Sequence, residues 1–340
     1  MLLHRSSQPI LLPDRPWETG AALFAIGAMP DPDGGSIRLY YLVRGGPQGN
    51  VLCLARSTDA RVWTKPDCGD GTNIVMRGAG LPMNWGEFMP AAVLHEPRDR
   101  AKSRRWKMIF WDRRTARTPP GICLAVSKNG FAWRPVGRRP IITNANDAMS
   151  FIAARPGVAT PLGPATHFIY QQTWRHNPAL PVERDNLKGM HRRISIWKGE
   201  GFTGRWVGPV TILEPDAADP PDLQFYWLTP CPVAGGYGGL LNCHHTGDQT
   251  MDVQWVRSRD GWQWTRELNR QPLIPLGPRG GFDCGLVIAA AQPVRWEDRV
   301  LVFYNGRATV HDGQPHYPAD PLPNPRQGIG LAAFSPALLE

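Results

Sequence analysis

The stretch Met251–Trp264, MDVQWVRSRDGWQW, joins a strand-like run to a Ser-Arg-Asp-Gly turn, with a tryptophan three residues beyond the glycine. Asp and Gly suit a tight hairpin: Asp hydrogen-bonds its own backbone, and Gly accepts positive φ. A closely similar arrangement stands at Val51–Trp63, VLCLARSTDARVW, and again at Gly121–Trp133, GICLAVSKNGFAW. A strand, turn and tryptophan that recur in this way indicate a repeat architecture.

Working outward from these elements, the chain divides into five units of about 60 to 75 residues. Each opens with an acidic residue before an apolar run. A turn, an aromatic-rich strand with a polar end, a third strand, the turn-and-Trp element and a proline-rich crossing follow. The 35 prolines and 36 glycines are spread between apolar runs, as many short strands joined by turns require. A β-sandwich does not repeat so long a unit five times, and solenoid coils are shorter. The pattern predicts an all-β, five-bladed β-propeller, one domain over 1–340 with blades at about 14–80, 81–143, 144–218, 219–279 and 280–340. Fourth strands are expected in segments such as Arg138–Thr143 and Pro272–Gly277, and the N-terminal Gln8–Pro13 is placed to close the ring. The tryptophans Trp63, Trp133, Trp206 and Trp264 read as packing between blades.

Composition limits the function classes. With 42% hydrophobic residues the chain can bury a large core, and no run approaches the 18 or so apolar residues of a membrane span. The first residues lack the continuous apolar segment of an export signal, so a cytoplasmic protein is expected. All six cysteines are expected as thiols; Cys53 and Cys123 occupy one place in two copies of the repeat, as small core hydrophobes do. The net charge of +9 comes from dispersed arginines. The densest basic run, Arg98–Arg105, has no interleaved aromatics and reads as a solvated hairpin tip. No nucleic-acid or membrane partner is expected, and the oligomeric state stays open.

The unit openers are Glu18, Glu87, Asp147, Asp222 and Asp283, spaced by 69, 60, 75 and 61 residues. Inner propeller strands line a central funnel, so residues at equivalent ends of them point toward one volume. Converging carboxylates repel one another, which a purely stability-driven design avoids. The second strands end toward the same region with Arg44, Asp112, Arg113, Gln171, Trp174, Arg175, His244, His245, Asn305 and Arg307. Acids, amides, cations and an aromatic face together suit a polyol, and the arginines and histidines equally suit an acidic substituent or phosphate. Five such acids would also suit a hydrated Ca²⁺ on the axis; no other metal or cofactor is expected. The two histidines of HDGQPH, His311–His316, lie in a Pro/Gly-rich loop and read as a weak metal signal.

With the five openers, the segments DLQFYWL (Asp222–Leu228), SRDGWQW (Ser258–Trp264), PLIPLGPRGGFDCG (Pro272–Gly285) and VFYNGR (Val302–Arg307) give the chain its family resemblance. It resembles the five-bladed propeller glycosidases, invertase-like and arabinanase-like, and especially proteins labelled glycosyl hydrolase family 32 N-terminal-domain-like. That resemblance implies a glycoside hydrolase with three inner-strand carboxylates. By position Glu18 would be base or nucleophile, and Asp147 or Asp222 the proton donor or assisting acid. The invertase-like Trp-Met-Asn-Asp-Pro-Asn-Gly opening is replaced by Pro16–Gly20, PWETG, and the family's Glu-Cys pair is absent. The expectation is therefore a glycosidase acting on a small carbohydrate-like substrate. The alternatives are a propeller phosphorylase, with Arg113, Arg175, His244 and His245 gripping inorganic phosphate, or a non-hydrolytic propeller that binds a sugar-like intermediate.

Overall fold

The computed structural model describes residues 1–83, 86–143, 146, 148–177 and 185–340. Three separate four-stranded antiparallel sheets come first. The first runs Ala22–Pro30, Ile37–Gly46, Gly49–Ser57, Ile74–Arg77. The second runs Met89–His95, Trp106–Asp112, Gly121–Ser127, Arg134–Val136, and the third Met149–Ala153, His167–His176, Met190–Gly199, Trp206–Leu213. A ten-stranded sheet follows, which divides at one parallel bridge, Met251 to Leu286, into two further up-and-down units. The fourth unit is Leu223–Val233, Gly236–His245 and Thr250–Ser258, edged by Thr265–Arg266 and Pro272–Ile274. The fifth is Leu286–Ile288, Arg299–Arg307, Gln327–Phe334 and the N-terminal Leu2–Arg5, with Val294–Trp296 beside it.

These units are the blades of a propeller. Ala22–Pro30 packs on Met89–His95, which packs on Met149–Ala153, which packs on Leu223–Val233. Ala22–Pro30 also meets Arg299–Arg307 and Gln327–Phe334, closing the ring. The closing strand is Leu2–Arg5, paired with Gln327–Phe334, rather than Gln8–Pro13; from that segment Leu11 adds one bridge, to Ile329. In the second blade the edge strand is Arg134–Val136, and the expected Arg138–Thr143 contributes only the bridge Ile142 to Ile122. Among the described residues, no helix is long and apolar enough to cross a membrane.

Adjacent inner strands form no ladder with one another near the axis, so their peptide groups need side-chain partners. Asn305 supplies them between the fifth and first blades: its Oδ1 accepts the Ala25 N–H at 2.6 Å and its Nδ2 donates to the Ala25 and Ile288 carbonyls. Asn242 does the same between the fourth and fifth, accepting from the Ala289 N–H and donating to the Ala289 carbonyl. Ser150 and Thr229 donate to Leu228 and Ala289 carbonyls. The residue that the sequence offers as a sugar ligand, Asn305, is thus spent on blade closure, although it still edges the funnel.

The turn-and-Trp element explains how blades lock together. Asp260 Oδ1 accepts the N–H groups of Trp262 and Gln263 at 2.8 Å, Ser258 accepts from Gly261, and the Trp264 indole donates to the Gly261 carbonyl. Asn129, Ser127, Gly130 and Trp133 repeat the set. A tyrosine of the preceding blade then donates to the same glycine carbonyl, Tyr170 to Gly261 at 2.7 Å and Tyr40 to Gly130 at 3.1 Å, and each lies edge-on to the tryptophan. In the first blade the edge-on partner of Trp63 is Phe303, which has no hydroxyl to seat. There the turn carries Ala60 at φ +58 in place of glycine. Gly261, at φ +76, has no such room: a Cβ would come within 2.9 Å of the Tyr170 hydroxyl and 3.0 Å of Phe168. Gly261→Ala is expected to destabilise the fold by about 2 to 4 kcal/mol, left-handed strain plus overpacking. Urea unfolding of the variant measures this, with Ala60→Gly as the mild comparison.

The basic run is a hairpin tip, as its composition suggests. It caps the turn between Met89–His95 and Trp106–Asp112, where buried Lys107 pairs with Asp99 at 2.7 Å and with Glu96. Burial alone would raise the Asp99 carboxyl, but Lys107 and the Ala101 N–H bring it down to about 2. All six cysteines are thiols in this structure. Burial, with Asp112 next, pushes the Cys123 thiol up to about 12, which fits an inert core residue.

Candidate active site

Registers bring the start of each inner strand beside the end of each second strand. Ala22 faces Arg44, Met89 faces Trp111, Met149 faces Gln171, Leu223 faces His245, and Leu286 faces Arg307. A funnel opens at this end. Two compartments of about 440 and 670 Å³ share Phe24, Arg44, Gly86, Tyr226 and Ile288 as walls. Both volumes lie within the range of small-molecule sites. The floor of the smaller one is apolar, built from Phe24, Leu42, Met89, Ala148, Trp227 and Ile288.

Of the five expected acids, only Glu87 lines this funnel among the described residues. It sits just before the inner strand of the second blade, its side chain 66% exposed, with Oε2 accepting from Asn50 Nδ2 at 2.9 Å and lying 4.0 Å from Arg44 Nε. Gly86 at φ +72 turns the chain there, against the Trp111 indole. Asp147 lies outside the described residues.

The other openers are held elsewhere. Glu18 is fully buried. Its Oε1 accepts the Tyr41 hydroxyl at 2.6 Å; Oε2 takes Lys65 Nζ at 2.6 Å and the N–H groups of Asp14 and Arg15. Burial, with Cys53 and Glu18 next, raises the Tyr41 phenol far above its ordinary value and so keeps it a donor. Asp283 repeats the motif in the fifth blade: Arg5 at 2.5 Å and the Tyr304 hydroxyl at 2.7 Å share its Oδ2. Asp222 is half-buried and closes a turn by accepting the Gly247 N–H at 3.2 Å; it lines neither compartment. Glu18 and Asp222 therefore do not stand as the expected catalytic pair. Glu18 and Asp283, two of the acids expected to face the axis, are instead paired with Lys65 and Arg5.

Several expected substrate ligands are also structural. Asp112 is buried and accepts from the Ala79 N–H and Arg114. Arg113 staples the carbonyls of Pro82, Ala116 and Thr118. Gln171 accepts the Trp197 indole N–H. Trp174 and Gln171 share a separate 270 Å³ cleft, and Arg175 is exposed at 4.0 Å from Glu214. His245 pairs with Asp252 at 2.9 Å; burial opposes its protonation, but that carboxylate lifts the imidazole above its ordinary value. Arg113, Arg175 and His245 are thus not the phosphate grip that the sequence suggests.

The cations at the funnel are Arg44 and Arg307. Arg307 is half-buried, its Nη2 donates to Thr309 at 2.9 Å, and its buried Nε has no hydrogen-bond partner among the described residues. Burial, then Arg44 and Arg326, hold its guanidinium below the ordinary value, with Tyr226 and Asp312 opposing. Two arginines thus stand at this wall, with Glu87 4.0 Å from Arg44 and Asp312 lining the same compartment as Arg307.

Behind the wall stands a group of which the sequence signals His244 and His311 but not Asp185. His311 and Asp312 line the larger compartment with Asn186 and Tyr226. His311 Nε2 lies 3.2 Å from the Tyr226 hydroxyl, and its ring centre 4.5 Å from that of His244. Asp185 meets Arg192 through two 2.7 Å contacts. Burial, with Arg192 next, lowers the His311 imidazole to about 4. Burial and then His311 hold His244 well below the ordinary value. Asp185 sits in a hairpin connection with no motif around it, so only the fold brings it to the funnel.

No family model matches the chain, and no curated protein matches it. Solved structures do. The chain is similar to a glycoside hydrolase at TM-score 0.67 and 12% identity, covering 98% of this chain and 92% of that one. It is similar to a β-1,2-mannobiose phosphorylase from Listeria innocua at 0.65 and 11%, covering 99% and 97%. A thermostable family-43 glycoside hydrolase superposes at 0.51 and 13%, covering 91% and 88%. At these identities the likeness is one of fold.

Proposed function

We propose, from the premise that this chain has the propeller fold of glycoside hydrolases and a glycoside phosphorylase, that it is a hydrolase-like enzyme cleaving a small glycoside in the funnel. The observation that carries the reading is Glu87, a solvent-reached carboxylate above an apolar floor with an arginine and an amide beside it. A sugar presents an apolar C–H face and vicinal hydroxyls, which that floor and those polar groups complement. Glycosidic cleavage needs one carboxyl group to protonate the leaving oxygen and a second carboxylate to attack or to activate water. Glu87 takes one of these roles. Asp312 in the adjoining compartment, or Asp147, takes the other.

A second reading is favoured by Arg307. A half-buried cation with an unused Nε beside Arg44 suits inorganic phosphate, which would replace water as the nucleophile. The two readings separate in a screen of the purified chain against α- and β-aryl glycosides and short oligosaccharides, with and without phosphate. Turnover in phosphate-free buffer supports hydrolysis. Turnover that requires phosphate, with the phosphate KM raised at least about tenfold in Arg307→Ala for a lost charge-assisted contact, supports phosphorolysis. No turnover on any glycoside overturns both and directs attention to non-hydrolytic chemistry.

A further inference from the structure

Among the described residues, Asp185, His244 and His311 place one ligand atom each within 4.8 Å of the others. Three strands of evidence make this more than proximity. His244 is fully buried, yet neither ring nitrogen has a hydrogen-bond partner among the described residues. Buried polar atoms left so are rare, and an ion or water is a usual reason. Gln249 lies near the His244 imidazole, and its Oε1 is likewise without a hydrogen-bond partner among the described residues. Next, the outer contacts are those that orient metal ligands. His311 offers Nδ1 at 4.0 Å from Asp185 Oδ1 while Nε2 meets the Tyr226 hydroxyl. Finally, the carboxylate is fixed: Arg192 holds Asp185 through both oxygens and also donates to Asn186 and Gln224. A carboxylate offers about four lone-pair sites, so serving Arg192 leaves Oδ1 a direction for another partner.

We propose that Asp185, His244 and His311 bind a divalent transition metal, zinc by ligand class, with an open coordination position toward the 670 Å³ compartment. Two imidazole nitrogens and one carboxylate suit zinc, cobalt or nickel, whereas calcium and magnesium prefer all-oxygen shells. Three protein ligands with a fourth position free is the pattern of a site that takes an oxygen of water or substrate. His311 and Asn186 reach the compartment wall, so the open position faces the space in which the proposed substrate would lie. The site does not depend on which glycoside reaction occurs there, and binding is read without any activity assay.

The test uses the full chain after chelator dialysis. Co²⁺ titration followed by visible absorption, and Zn²⁺ titration by calorimetry, are expected to saturate at one equivalent. His311→Gln alters a loop side chain and is expected to fold as the parent does, checked by thermal unfolding. It should weaken Zn²⁺ more than about 100-fold, beyond the loss caused by removing a merely supporting group. His244→Gln should do the same if it folds, and His316→Gln should leave affinity unchanged. Failure of the parent chain to saturate, or unchanged affinity in His311→Gln, overturns the site; the latter outcome would mean adventitious binding at other histidines.

Discussion

Glu87→Gln is expected to lower kcat/KM on whichever glycoside proves to be the substrate by about 100- to 10,000-fold, the range for losing a positioned acid or base. Its thermal midpoint is expected to stay with that of the parent. Glu87 is two-thirds exposed, and its partners are Asn50 and an Arg44 that is equally exposed, so the fold gains little from its charge. The amide keeps the hydrogen bond to Asn50 within reach, because a Gln oxygen accepts as a carboxylate does. A drop in rate without a drop in stability therefore reports chemistry at this atom. Asp312→Asn serves beside it as the candidate second carboxylate. Full activity in Glu87→Gln would remove Glu87 from the mechanism and leave Asp147 and Asp312 as the remaining acids of the proposal.

The fold was legible because its signals are local. Ser258, Asp260, Gly261 and Trp264 make their turn with one another and need only a tyrosine from the preceding blade to lock it. The same holds for the rule that inner-strand starts meet second-strand ends, since antiparallel register follows from short hairpins. What the sequence does not carry is the direction of a side chain at a strand entrance. Glu18 and Glu87 both precede the inner strand of their blade, which begins at Ala22 and at Met89. Glu18 turns inward because Lys65 and Tyr41 wait in the core, and Glu87 turns outward where its neighbours are Asn50 and the exposed Arg44. Lys65 lies 47 residues away from Glu18, and Arg5 lies 278 from Asp283, distances over which no motif links the partners. Asp185 and His311 show the converse. Each sits in a connection between two strands of a single blade, Asp185 in the third and His311 in the fifth, and only the fold makes them neighbours.

Glu18→Gln is expected to destabilise the protein by about 3 kcal/mol while leaving the turnover of the folded enzyme unchanged, the opposite signature to Glu87→Gln. Glu18 and Lys65 are both almost wholly buried, at 0% and 2% side-chain exposure. Removing one member of such a pair leaves the other charge in low dielectric without its partner, which costs more than the pair contributes when intact. Asp14 also touches Lys65 at 2.6 Å, but it is 64% exposed and compensates only in part. The neutral amide further mismatches its surroundings: one terminal position of Glu18 now accepts three donors, from Lys65, Asp14 and Arg15, and the other accepts the Tyr41 hydroxyl. A glutamine places an NH₂ at one of these positions, opposite a donor, whichever way it is turned. Urea unfolding at neutral pH reads the loss as a lower midpoint at unchanged slope. Asp283→Asn should behave alike, since Arg5 and Tyr304 face it as Lys65 and Tyr41 face Glu18. A Glu18→Gln variant as stable as the parent and without turnover would return Glu18 to the catalytic role and take it from Glu87.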